Sequence, residues 1–491
     1  MRLIASLAGV ALGFAGAAAV PAGASSPGPS ELSWHKCGTH FRCAELAVPL
    51  DYAHPTVAHL NLALVELPAT GAHVIGDLVM NPGGPGGSGV QFLETTSFPA
   101  ALRASFNLVS FDPRGVGQSD PVACEGPAGT RALIALDPDP ESAGQIRAVT
   151  QAASNFDRSC TEHSSMALLE HVGTRDTVRD LDRIRAALGH AKLDYLGFSY
   201  GTYIGELYAQ MFPGHVRAMV LDGVVDPALS SSTQVEQQSE GFEVDLGDFF
   251  AWCPTNKSCA GELPQGAKTA YEELFQRLAA GANLGADLKP EYGGPQRVTF
   301  GVAETALAGS LYSDQTWPYL ATAIAQGLAG NGGLLAALAY SFEGLMPNGR
   351  WANLMAAGTA ISCVDRPYPK QVSAYEELAS RLAKLAPDFG AADAWSYLGC
   401  VYWPVRPEGD IGAIHAKDSP PILVIGSTGD PATPYSWAQA VTRQLAHAEL
   451  LTRRGPGHTA YSNSTCIDRW TDRYLETLAL PPKDTVCAST T

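Results

Sequence analysis

The chain has 491 residues, 46% of them hydrophobic and 16% charged, which is enough apolar material for a large buried core and excludes a disordered polymer. At roughly 150 residues per domain, the length allows two or three units or one large domain carrying an insertion. With 32 Lys plus Arg against 49 Asp plus Glu, the formal net charge is −17 without a basic block. Nucleic acid and anionic membrane are thereby excluded as partners, because affinity for either rests on Lys and Arg meeting phosphates.

Arg2 precedes an apolar run from Leu3 to Val20, and Ala22-Gly23-Ala24 has the small-x-small form of a signal-peptidase site. Residues 1–24 read as a signal peptide and 25–36 as a linker. A membrane anchor or an ordinary N-terminal helix competes with this, but the run is short, rich in Gly and Ala, and lacks a second charged flank. No later stretch is long and apolar enough to span a bilayer, so a secreted chain without stable membrane association is expected.

Strands are predicted at Leu60 to Leu67, Gly76 to Met80 and Phe106 to Phe111. Thr174 to Leu188 places Val178, Leu181, Ile184 and Leu188 at helical spacing before Gly189. A strand at Leu193 to Phe198, a helix at Tyr200 to Phe212 and a strand at Val216 to Leu221 follow. This alternation predicts an α/β fold with a mainly parallel sheet covered on both faces. From Pro227 to Pro404 the pattern turns helical, as at Gly266 to Leu278 and Ala303 to Leu328. Strand signal resumes at Pro421 to Ile425, then a helix at Tyr435 to Leu445, a strand at Leu450 to Thr452 and a helix near Asp468 to Leu478. The simplest organisation is an α/β core over 37–226, a helical lid over 227–404, and the rest of the core over 405–491.

The ten cysteines fall as neighbours: Cys37 with Cys43, Cys124 with Cys160, Cys253 with Cys259, Cys363 with Cys400, and Cys466 with Cys487. In an exported chain an even count reads as disulfides, with buried free thiols as the alternative. No Cys-x-x-Cys or His-Glu-x-x-His is present, so neither a metal nor any other cofactor is expected.

Gly197-Phe198-Ser199-Tyr200-Gly201 lies between a predicted strand and helix, the context in which Gly-x-Ser-x-Gly exposes a nucleophilic serine. Serine needs a base oriented by a carboxylate, which in this architecture follow in the order acid, then histidine. Asp430 follows the strand at Pro421, and of the twelve histidines only His447 and His458 come after it. His447 sits ahead of the last strand and His458 after it, which selects His458. A plain helix cap for Asp430 and a surface loop for His458 are the bland readings. Two N–H donors must meet the oxyanion: Tyr200, and Gly84 ahead of Gly83 in Asn81-Pro-Gly-Gly-Pro-Gly-Gly-Ser-Gly89. Gly84 to Gly89 also matches a dinucleotide fingerprint, but Pro82 and Pro85 remove amides and no clean helix is read after Gly89. Asp112 and Arg114 of Asp112-Pro-Arg-Gly-Val-Gly-Gln-Ser119 are expected to pair and brace the loops around the serine.

These motifs, with Trp34 to Cys37 and Gly429-Asp-Pro-Ala-Thr-Pro434, resemble the secreted tripeptidyl aminopeptidases of actinobacteria, relatives of the prolyl iminopeptidases with a TAP-like C-terminal segment. The resemblance implies an α/β-hydrolase fold, Ser199, Asp430 and His458 as triad, and release of short peptides, often tripeptides, from free peptide or protein N-termini; a monomer is expected. The iminopeptidases carry His where this chain has Pro82, which departs from a single-proline activity. An exopeptidase needs carboxylates for the substrate amine, and Glu236, Glu240, Glu243 and Asp365 are the candidates, each with a solvated or structural role as its alternative. A secreted carboxylesterase or lactonase would use the same triad.

Overall fold

Inward-facing alternation builds the early strands, where Ala44, Leu46 and Val48 of Arg42–Pro49 point into the core and Glu45 and Ala47 between them outward. Leu193–Phe198 is instead buried at every position, as a parallel strand covered on both faces must be. A computed structural model describes residues 32–409 and 412–488, so the expected signal peptide lies outside the described residues.

The strands are β1 His35–Lys36, β2 Arg42–Pro49, β3 His59–Leu67, β4 Gly76–Asn81, β5 Phe106–Phe111, β6 Leu193–Phe198, β7 Val216–Asp222, β8 Leu284–Asp287, β9 Pro295–Val298, β10 Ile422–Gly429, β11 Ala448–Pro456 and β12 Val486–Cys487. Ten of these make one sheet in the order β1-β2-β3-β5-β4-β6-β7-β10-β11-β12, while β8 and β9 form a separate hairpin. Pairing is antiparallel from β1 to the β3/β5 contact and parallel from there on. Helices Thr174–Ala187 and Tyr200–Met211 cross between the parallel strands. This is the α/β-hydrolase fold, with the serine turn after β6 and the acid and histidine loops after β10 and β11.

Between β7 and β10 the chain is mainly helical, beginning with Ser231–Trp252. Phe249, Leu274, Leu307, Trp317 and Ile324 give these helices a core of their own. Helix Leu354–Asp365 departs from this, because its Ala357, Ala360, Ile361 and Val364 are buried in the core of the sheet instead.

Several expectations need correction. Ala303 to Leu328 is two helices, Phe300–Leu311 and Trp317–Leu328, since Pro318 at the start of the second cannot continue the first. A seven-residue helix, Gly89–Thr95, does follow the glycine-rich loop, capped by Ser88, whose hydroxyl accepts from Gln91 N–H. The strand at Leu450 runs from Ala448 to Pro456 and is not the last in the sheet. Strand β2 and helix Ala143–His163, which carries a capping box on Ser142 and Gln145, were not anticipated.

All five neighbouring cysteine pairs are disulfide-bonded, and among the described residues no cysteine is free. No helix among them is long and apolar enough to cross a membrane.

Candidate active site

Ser199 directly follows β6 with φ 53° and ψ −129°, a conformation that costs a non-glycine residue about 1–3 kcal/mol. The flanking glycines permit the turn. A Cβ on Gly197 would lie 2.4 Å from the Gly201 carbonyl, and one on Gly201 would lie 2.5 Å from that of Asn81. Ser199 N–H donates to the Asp222 carbonyl at 2.9 Å, which pins the turn to the end of β7.

Asp430 is buried and takes N–H bonds from Ala432 and Thr433 and the Thr433 hydroxyl. Its two oxygens lie 2.9 and 3.0 Å from Nδ1 of His458. The imidazole packs edge-on against Tyr312 of the lid, whose carbonyl accepts from His458 N–H. Nε2 of His458 is buried without a hydrogen-bond partner, and no bond links it to Ser199 Oγ. Burial opposes charge on this ring, but Asp430 and Asp222 outweigh it and hold the imidazolium above the ordinary histidine range. His447 stays exposed, its carbonyl accepting from Ile422 N–H at the foot of β10.

The glycine-rich loop presses against the serine turn, so a Cβ on Gly83 would sit 2.8 Å from Tyr200 N. The Gly83 N–H is spent on the Asn81 side chain, which leaves Gly84 as the better donor of the loop, and Gly84 borders the recess at Ser199. The bracing differs from expectation, because Asp112 and Arg114 do not pair. Asp112 instead accepts from the Ser88 hydroxyl and from Val90 and Gln118 N–H, tying the two loops together. Asn353 ties the same turn to the lid, accepting from Gly117 N–H and donating to the Gly115 and Val122 carbonyls.

Beyond Ser199 the recess opens into a chamber of about 580 Å³, the two sharing Gly84, Pro85, Gln238, Tyr312, Ser362 and Tyr397. Its walls carry Asp137, Glu304, Glu343 and Asp393 and, among the described residues, no Lys or Arg. Glu304 is 7% exposed and both its oxygens lack a hydrogen-bond partner. Burial, then Asp393, Asp388, Asp139 and Glu243, push its carboxyl well above the usual range. Burial takes Glu343 up to about 7 and Asp393 up to about 6, the latter held by the Ser239 hydroxyl.

Of the residues expected at an amine subsite, only Asp365 borders the site. Glu236 pairs with Arg381 near the surface, Glu240 is exposed, and Glu243 accepts from Asp388 N–H. Asp365 borders the serine recess, but its oxygens are taken by Thr174 N–H, the Thr174 hydroxyl and the Tyr200 phenol.

Residues 386–487 match the family model described as TAP-like protein. The serine protease Hip1 of Mycobacterium tuberculosis is 35% identical, over 91% of this chain and 87% of its own length. The tripeptidyl aminopeptidase of Streptomyces lividans is 33% identical, over 96% of this chain and 89% of its own. The chain belongs to the tripeptidyl aminopeptidase family. Carboxylesterase B of Mycobacterium tuberculosis is also similar, 32% identical over 96% of this chain and 94% of its own length. Members of the family are serine hydrolases, and so is this chain.

The carboxylates missed in the sequence were within reach. Glu304 is the one charged residue in the apolar helix Phe300–Leu311, and Glu343 directly follows the uncharged helix Gly333–Phe342. A lone carboxylate on an apolar helix is a candidate for a buried site, whereas Glu236, Glu240 and Glu243 lie on a helix with many polar neighbours.

Proposed function

We propose that this chain is a secreted serine exopeptidase that releases short peptides, tripeptides foremost, from free N-termini. Ser199 Oγ attacks the scissile carbonyl while His458 Nε2 takes its proton, and Asp430 holds Nδ1 and stabilises the imidazolium. Tyr200 and Gly84 N–H groups receive the oxyanion. His458 then protonates the leaving amine, and water, activated by the same ring, hydrolyses the acyl-enzyme.

The observation that carries the exopeptidase reading is the chamber, with an unpartnered buried Glu304 and no cation of its own. A buried carboxylate recovers its lost hydration only from a partner, and the α-ammonium of a peptide bound through Ser199 is one of matching charge. Five disulfides fit an oxidising compartment and support export.

The test is a pair of chromogenic tripeptides, one with a free N-terminus and one N-acetylated. The free peptide should be turned over at least about a hundredfold faster in kcat/KM, about 2.7 kcal/mol. The similarity to carboxylesterase B favours a second reading, an esterase with the same triad. Equal rates on the two peptides, with faster hydrolysis of simple acyl esters, would establish that reading instead.

A further inference from the structure

We infer that Asp222 is a positioning residue for the catalytic histidine, clamping the loop after His458 through two backbone amides and setting a negative charge beside the imidazole. This rests on His458 being the general base.

Asp222 ends β7, fully buried. Its carboxylate accepts from Ala460 N–H at 3.1 and 2.9 Å and from Tyr461 N–H at 2.8 Å. The clamped segment holds two non-glycine residues in the left-handed region, Thr459 at φ 63° and Ser462 at φ 68°. Such backbone persists where surrounding contacts over-determine it. Asp222 and Asp468, which accepts from Ser462 N–H, supply such contacts.

The same residue reaches both halves of the catalytic pair. Its carbonyl accepts from Ser199 N–H at 2.9 Å and its side chain holds the histidine loop. The next residue, Gly223, has φ 69°, and a Cβ there would lie 3.0 Å from His458 Cε1, so the imidazole rests on this corner. The groups facing His458 are Asp430 and Thr433 at Nδ1, Tyr312 against the ring, and Asp222. Asp222 meets no Lys or Arg among its hydrogen-bond partners, only amides, so its charge acts on the ring without a counter-ion. Burial raises the Asp222 carboxyl to about 6 against the pull of the two amides.

Asp222→Asn keeps the shape, removes the charge and sets an amide NH₂ where a carboxylate oxygen accepted. Expected is a fall in kcat of at least about tenfold with KM within about twofold, since substrate contacts are unchanged. The acid limb of kcat should move to lower pH, because losing a neighbouring negative charge destabilises the imidazolium. A purely structural Asp222 would lower the folded fraction and leave that limb in place. An unmoved limb or a wild-type kcat overturns the inference. Should the variant fail to fold, the wild type decides: in its ¹⁵N spectrum the Ala460 and Tyr461 amides should shift as His458 titrates, and flat amides overturn it. Undiminished activity in His458→Ala would instead reject the base assignment itself.

Discussion

Arg114 sends Nε and Nη2 to the two oxygens of Asp180, each at 2.7 Å, and leaves Asp112 of its own turn to the Ser88 hydroxyl and the Val90 and Gln118 amides. Both charges are fully buried. The guanidinium also donates to the Pro49, Leu50 and His171 carbonyls, so β2's exit, the Asp112 turn and helix Thr174–Ala187 meet on one cation.

Arg114→Met should therefore strand Asp180 in the core, with only the Tyr52 phenol left to it. Breaking a buried pair by removing one partner costs about 3–5 kcal/mol. Urea denaturation followed by tryptophan fluorescence should show a loss of that size, and a loss below about 1 kcal/mol would mean that water or a neighbour replaces the guanidinium.

Ser199→Ala and His458→Ala should each lower kcat by several orders of magnitude, about equally, because triad members act as a unit, while Asp430→Asn costs less. A fluorophosphonate should label Ser199 alone. His447→Ala should be indifferent, and a dead His447→Ala beside an active His458→Ala would reverse the choice of base.

The pH profile has a fixed sign. His458 must be neutral to accept the serine proton, and Asp430 and Asp222 raise its pKa despite burial. Activity should thus be lost, as pH falls, along a limb lying above the ordinary histidine value of about 6.5. A kcat/KM limb below that value would contradict the charge arrangement described for the loop.

Glu304→Gln keeps the chamber's size and removes a carboxylate. It should raise KM for free tripeptides by about tenfold or more and leave the slow turnover of N-acetylated peptides unchanged, since the loss is one of binding. If free peptides are preferred and the variant does not alter KM, the ammonium sits on Glu343 or Asp393, which the matching Gln and Asn variants would reveal.

The strands and helices around the proposed triad were legible because each carries strong periodicity, and the residues proposed for the chemistry lie in three short loops of restricted residue type. Ser199, Asp430 and His458 could be named for that reason. Arg114 could not be given its partner, because ion pairs between residues 66 apart leave no mark on local sequence. The same holds for the amine-binding candidates. Acidic residues on the helix at Ser231 looked available, but that helix turns Glu236 and Glu240 away from the chamber. The residues that line it come from separate helices that only tertiary packing brings together.

Helix Leu354–Asp365 joins the lid in sequence and the sheet in space. A Cβ on Gly86 would strike the Leu354 carbonyl at 2.6 Å and one on Gly358 the Pro85 carbonyl at 2.8 Å, so this helix and the oxyanion loop touch backbone to backbone. Lifting it would expose Ile361 and Val364, at about 1.5–3 kcal/mol each, and tear the loop from its seat. The chamber wall is therefore a ruler and not a door. On the proposed exopeptidase reading, its distance from Ser199, set when the chain folds, would fix the length of the released fragment before any substrate arrives.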